Sequence, residues 1–201
     1  MRIGLDFDGV IVDNTTMKAD RIAQRYGISL PPSAFHRSAV MSGRTPGLSP
    51  RQYFDAKRDV YIHKQFAEQM VPVAGAKEYI RRLMQAGHTV VIVSSRSRRS
   101  ARFARKWCRG LGQSLVVVGV GMDKVDKSEA ARHYRLDVFV DNELVKLRAL
   151  NGTVKHKFLF TWHNNLHDNV EGIAVRVIGW SDLYEKLRRL EPSFPKAKTA
   201  T

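Results

Sequence analysis

RIGLDFDGVIVDN, residues 2–14, decides how the chain is read. Residues 3–7 (IGLDF) form a short apolar run that reads as a buried strand. Asp6 and Asp8 stand at its carboxyl end, and side chains two apart on a strand share a face. Gly9 follows at once and lets the backbone turn sharply beneath them.

Outward from that stretch, strands and helices alternate. TVVIV (89–93) is an unbroken β-branched run of the kind buried on both faces. LVVVGV (115–120), LDVFVD (136–141), KFLF (157–160) and AVRVI (174–178) read as further strands. Helices are expected over 16–26, 51–69, 75–86, 98–109, 127–134 and 143–150, and from Trp180 onward. Gly27 is the expected C-cap of the first helix and Ser181 the N-cap of the last. The alternation argues an α/β fold, a Rossmann-like parallel sheet with helices on both faces. The segment 14–70 lacks a clear strand and is too long for an ordinary loop. It reads as a small helical cap inserted after the first strand. The core then comprises 1–13 and 71–190, and 191–201 is a basic, flexible tail.

Composition narrows the function classes. At 201 residues, 43% hydrophobic and 26% charged, the chain suits one domain carrying a smaller module. No apolar run reaches about 18 residues, and a signal-peptide layout is absent, so no membrane partner is expected. The single cysteine, Cys108, excludes an intrachain disulfide and points to the cytoplasm. Lys and Arg number 34 against 19 Asp and Glu, a formal charge of +15. That balance favours anionic partners: phosphorylated small molecules, nucleic acid or anionic lipid. Nothing in the pattern sets an oligomeric state.

Open parallel sheets bind ligands at the carboxyl ends of their strands. There the chain places Asp6, Asp8 and Gly9; Ser94, Ser95 and Arg96; and Asp141, Asn142 and Glu143, with Lys127 at a helix start nearby. Asp6 and Asp141 are hard oxygen ligands suited to Mg²⁺, which takes one or two carboxylates plus phosphate. A carboxylate can attack phosphorus to form an aspartyl-phosphate. Attack by one anion on another needs a metal, a lysine and hydrogen-bond donors, roles that Lys127 and Ser94 fit. A second carboxylate, Asp8, can protonate the leaving alkoxide and then activate water.

These residues carry a resemblance. The chain resembles the haloacid dehalogenase superfamily of phosphatases. DFDGV matches that family's first motif, VVIVSSR its second, Lys127 its third and VFVDN its fourth, in order across residues 3–143. The resemblance implies Asp6 as nucleophile and Asp8 as general acid and base, with Ser94 and Lys127 completing the catalytic set. It implies Mg²⁺ held by Asp6, Asp8, Asp141 and Asn142. Many relatives carry Asp-Asp in the fourth motif; Asn142 supplies an oxygen without charge, and Glu143 stands beside it. The family also places a helical cap between its first two motifs. FTWHNN (160–165) and VRVIGWSDLYEKL (175–187) resemble the C-terminal part of the 5'(3')-deoxyribonucleotidase-like branch.

The expected activity is Mg²⁺-dependent phosphomonoester hydrolysis on a nucleotide or another small phosphorylated metabolite. Two alternatives stand beside it. One is a phosphatase for DNA or RNA ends, favoured by the charge and by the basic run 96–109. The other is a non-catalytic anion- or nucleic-acid-binding protein, favoured by Asn142. Gly9, Ser95, Arg96 and Arg44 are the expected substrate contacts. Arg96 lies two residues past Ser94, and Arg44 sits in the Gly/Pro-rich loop of the cap. His163 and His167 lack the pattern of a zinc site, and Cys108 reads as a partly buried thiol.

Overall fold

The computed structural model describes residues 1–35, 37–67, 69–111, 115–121 and 126–190. The tail expected at 191–201 lies outside the described residues. Among those described, six strands form one parallel sheet: β1 (Arg2–Leu5), β4 (Thr89–Ser94), β5 (Val116–Gly119), β6 (Val138–Asp141), β7 (His156–Phe160) and β8 (Val175–Val177). Their order is β5-β4-β1-β6-β7-β8, which puts β1 at the centre.

Both faces of the sheet are buried, as the β-branched runs require. Ile3, Leu5, Val90, Ile92, Val138 and Val140 point to one face. They meet apolar residues of α5 (Ala76–Gln85), α6 (Arg98–Cys108) and α9 (Trp180–Leu190) there. Val91, Val93, Phe139 and Leu159 point to the other, against α7 (Ser128–His133) and α8 (Leu144–Ala149). The period of two along each strand therefore feeds two cores.

Between β1 and α5 lie α1 (Thr15–Tyr26), a 3₁₀ turn (Pro32–Ala34), α2 (Arg37–Met41), α3 (Pro50–Ile62) and α4 (Lys64–Ala67). A third apolar cluster holds them together, with Ala19, Ile22, Phe35, Val40, Tyr53 and Ala56 buried. Local signals set the ends. Gly27 takes the left-handed conformation, with φ 67°, and its N–H bonds to Ala23. Ser49 and Gln52 form a capping box around Pro50 at the start of α3. His63 is extended and divides the single helix expected over 51–69 into α3 and α4. Two short strands escape the sequence pattern: β2 (Val12–Asp13) and β3 (Val71–Pro72), paired antiparallel at the neck where the chain leaves and rejoins the sheet. Two residues each are too few for periodicity to register. Ser181 is not an N-cap but lies inside α9; the side chain of Asp182 instead accepts the N–H of Ile178 at 3.0 Å.

Candidate active site

Leu5 of β1 lies in register with Val140 of β6, so Asp6 and Asp141 emerge side by side. Both carboxylates are buried. Lys127, fully buried just before α7, joins them: its Nζ donates to Asp6 Oδ1 at 2.6 Å and to Asp141 Oδ2 at 2.8 Å. Burial raises the Asp6 pKa to about 6, with Lys127 pulling against it and Asp141 adding to it. Burial also pushes Asp141 upward, but Lys127 and then Lys146 outweigh it and hold that carboxyl below its usual range. Two carboxylates beside one ammonium thus ionise unequally.

Asp8 faces a different cation. Arg96 donates from Nη2 to its Oδ1 at 2.7 Å and from Nε to its Oδ2 at 2.9 Å. Asn14 Nδ2 adds a bond to Oδ1 at 2.6 Å and a second to the hydroxyl of Tyr61 at 3.0 Å. Burial would raise the Asp8 pKa, but Arg96 and Asn14 together hold it low. Arg96 is 0% exposed, its guanidinium centred 4.4 Å from the Tyr61 ring and 4.9 Å from the Phe7 ring. Arg96, expected as a substrate contact, is turned to Asp8 and is not among the residues lining the cavity described below. The chain turns after Ser94 and sends this side chain under the site, where its planar fork fits a carboxylate.

The remaining expected residues separate into near and far. Ser94 is fully buried at the end of β4 and its Oγ accepts the Arg96 N–H at 3.3 Å. Ser95 lines a cavity of about 370 Å³ that also exposes Asp6, Asp8 and Asn142. Gly9 has φ 90°, and an added Cβ would collide with the Asn142 side chain. The Asn142 Oδ1 is buried, without a partner among the described residues. Arg44 is exposed in the turn after α2, bonds Ser42 Oγ at 2.8 Å and is not among the residues lining the cavity. The basic run also lies elsewhere: Arg98, Arg99, Arg102, Arg105, Lys106 and Arg109 are exposed on α6, outside this cavity. Cys108 is buried, and burial pushes its thiol up to about 12, against any activation by its basic neighbours.

Several residues at the site escape sequence reasoning. Asn14, Lys18, Arg37, Tyr53, Lys57 and Tyr61 line the cavity from the helical side. Lys146, Trp162 and His163 line it from the sheet side. One signal is available: Asn14, Lys18 and Ile22 follow helical spacing, so Lys18 shares a helix face with an apolar residue. The aromatic C-terminal stretches also gain a physical role. Trp162 donates its indole N–H to Gly9 O, and Trp180 donates to Val10 O at 2.8 Å. Asn165 Nδ2 donates to Asn142 O at 2.9 Å and to Phe160 O at 2.8 Å. Together they fix the loops that carry Asp8, Gly9 and Asn142.

The donor set fits a hard cation. Asp6 and Asp141 supply two carboxylates, and the unpartnered Asn142 oxygen lies next to Asp141 in the chain. The carboxylate of Asp8, the other expected metal ligand, is engaged by Arg96. Among the described residues no group of three or more His, Cys, Asp or Glu is arranged for a metal. No helix among them is long and apolar enough to cross a membrane.

Known proteins complete the picture. The family model for 5' nucleotidase, deoxy (pyrimidine), cytosolic type C protein matches residues 1–190. No curated protein matches significantly. Among solved structures, a hydrolase from Pseudomonas syringae is similar with a TM-score of 0.65 and 14% identity, over 94% of this chain and 99% of that one. A HAD family hydrolase from Deinococcus radiodurans R1, with bound phosphate and sodium, has a TM-score of 0.63 and 17% identity, over 94% and 95% of the two chains. A haloacid dehalogenase-like protein from Streptococcus pneumoniae has a TM-score of 0.62 and 13% identity, over 92% and 97%. At these identities the structures speak for the fold.

Proposed function

The chain belongs to the 5' nucleotidase, deoxy (pyrimidine), cytosolic type C family of HAD-type phosphatases, and on that premise we propose that it hydrolyses a nucleoside monophosphate through an aspartyl-phosphate on Asp6. The observation that carries this reading is the meeting of Asp6 and Asp141, at adjacent strand ends, on Lys127, with Asp6 and Asp8 lining one cavity.

The roles follow from the surroundings. Asp6 is the nucleophile; its carboxylate is open to the cavity and oriented by Lys127. Asp8 handles the proton. Arg96 favours its ionised form, which suits the step in which a base activates water to break the acyl phosphate. Donating a proton to the leaving alkoxide requires Asp8 to be protonated against that pull. Lys127 and Lys146 balance charge at the phosphoryl end; Asp141 and Asp6, followed by Glu143, raise the Lys146 pKa against burial. Asp6, Asp141 and the oxygen of Asn142 would hold Mg²⁺, which would neutralise charge on the phosphate when bound. Phe35, Tyr53, Tyr61 and Trp162 offer aromatic surface to a base. The single cysteine agrees with a cytoplasmic setting.

The test is phosphate release from nucleoside monophosphates, sugar phosphates and end-phosphorylated oligonucleotides, with Mg²⁺ or with a chelator. Turnover of a nucleotide, lost on chelation and in Asp6→Asn, is the expected result. Equal turnover by Asp6→Asn, or turnover of sugar phosphates alone, contradicts the proposal.

A further inference from the structure

The cavity has two unlike walls. All the acids that line it, Asp6, Asp8 and Glu143, come from the sheet side. The nearby cations on that side are engaged: Lys127 with Asp6 and Asp141, Arg96 with Asp8, and Lys146 with Glu143 at 2.9 Å. The helical wall contributes Lys18, Arg37 and Lys57 and no acid.

Lys18 is the informative member. It lies one helical turn after Asn14, lines the cavity and is only 8% exposed. Among the described residues no carboxylate lies within ion-pair distance of its ammonium and no atom accepts a hydrogen bond from it. Its Nζ lies 5.8 Å from the centre of the Tyr53 ring. Burial lowers its pKa, opposed by Asp8 and then by Glu143. Its ammonium therefore faces the cavity without a direct partner, and a ligand anion placed there would gain a charge-assisted contact. The scissile phosphate already has Lys127 and Lys146 at the sheet end. Lys18 stands on the helical wall one turn from Asn14, which bonds Asp8, the group that would protonate the leaving alkoxide.

We propose that Lys18 forms a second anion subsite, so that the preferred substrate carries a second phosphate on its leaving group. This rests on the nucleotidase reading of the same site and goes beyond it by naming what the far end of the substrate bears. Two sources share that chemistry: a nucleoside 3',5'-bisphosphate, and a 5'-phosphorylated dinucleotide whose phosphodiester supplies the charge.

The experiment uses Asp6→Asn, so that ligands persist, and measures affinity by calorimetry. The ligands are deoxyadenosine 5'-monophosphate, its 3',5'-bisphosphate and the 5'-phosphorylated dinucleotide of deoxyadenosine. At least one of the two doubly charged ligands should bind about tenfold or more tightly than the monophosphate, as one charge-assisted contact allows. The tighter of the two identifies the source. Adding Lys18→Met should erase the preference and Lys18→Arg should keep it; Lys18→Gln is the neutral variant to use if Lys18→Met does not fold. Equal affinity for all three ligands, no binding of any, or a preference that survives in a folded neutral variant overturns the subsite. Wild-type turnover separates the two readings. Hydrolysis of the monophosphate with flat affinities keeps the chemistry and removes the subsite. A Lys18-dependent preference without turnover keeps the subsite and removes the chemistry.

Discussion

On the sheet side of the cavity, charge answers charge at hydrogen-bond distance: Lys127 between Asp6 and Asp141, Arg96 forked on Asp8, Lys146 on Glu143. On the helical side Lys18 has no such answer among the described residues, and its Nζ lies 5.8 Å from the centre of the Tyr53 ring. The difference teaches a division of labour. Groups that do the chemistry are held by charged neighbours around rigid strand ends. Groups that read a ligand keep their contacts open until it arrives.

The largest effect that could break this comparison comes from Lys127. Lys127→Met leaves two buried carboxylates without their shared cation and should cost about 3–5 kcal/mol of stability in a urea titration. A midpoint close to wild type would show that the pair needs no counter-ion.

Arg96→Met should lower kcat by about 10²–10⁴, the range of a misplaced general acid or base. The sign of its pH effect follows from the clamp. Arg96 holds the Asp8 pKa down, so its removal raises that pKa. The limb of the rate profile that reports Asp8 ionisation should therefore move to higher pH. An unmoved limb would detach Asp8 from Arg96.

Within the helical region, Asp59 accepts bonds from Arg21 Nε and Arg25 Nη1, each at 2.8 Å. Burial raises its pKa, but the bond from Arg21 and then that from Arg25 hold it low. Its stabilisation is thus full above the unfolded carboxylate pKa of about 3.9 and lost as pH falls through the lower folded value. Asp59→Asn should lower Tm by about 2–4 °C near neutral pH, and the gap from wild type should close in acid. A gap that widens in acid would reverse the assignment. The smallest effect sharpens the comparison. Arg44→Ala should leave KM for every substrate unchanged, since Arg44 lies outside the cavity; a raised KM would return it to the site.

These two regions also differ in how legible they are. The sheet-side residues stand at the ends of apolar runs, and parallel register alone brings Asp6 to Asp141. Sequence reasoning finds them because strand ends in an open α/β sheet converge. Arg96 shows the limit: its position is legible, but whether it faces ligand or Asp8 depends on the turn after Ser94. On the helical side, spacing sets Asn14 with Lys18, and Tyr53 with Lys57 and Tyr61, on shared faces, but that these faces meet, with Arg37 beside them, depends on the packing of α1, α2 and α3. Arg44 was singled out for its Gly/Pro-rich loop, whereas Lys18, on a helix face shared with an apolar residue, reaches the cavity. The two-residue strands of the neck were too short to show any period.

The central claim is that Asp6 takes the phosphoryl group. Intact-mass analysis of acid-quenched protein during turnover, followed by peptide mapping, tests it most directly. The account predicts a gain of one phosphoryl group on the peptide containing Asp6, absent in Asp6→Asn and without phosphate release in that variant. Turnover with no phosphorylated peptide, or with the label on another residue, would contradict it.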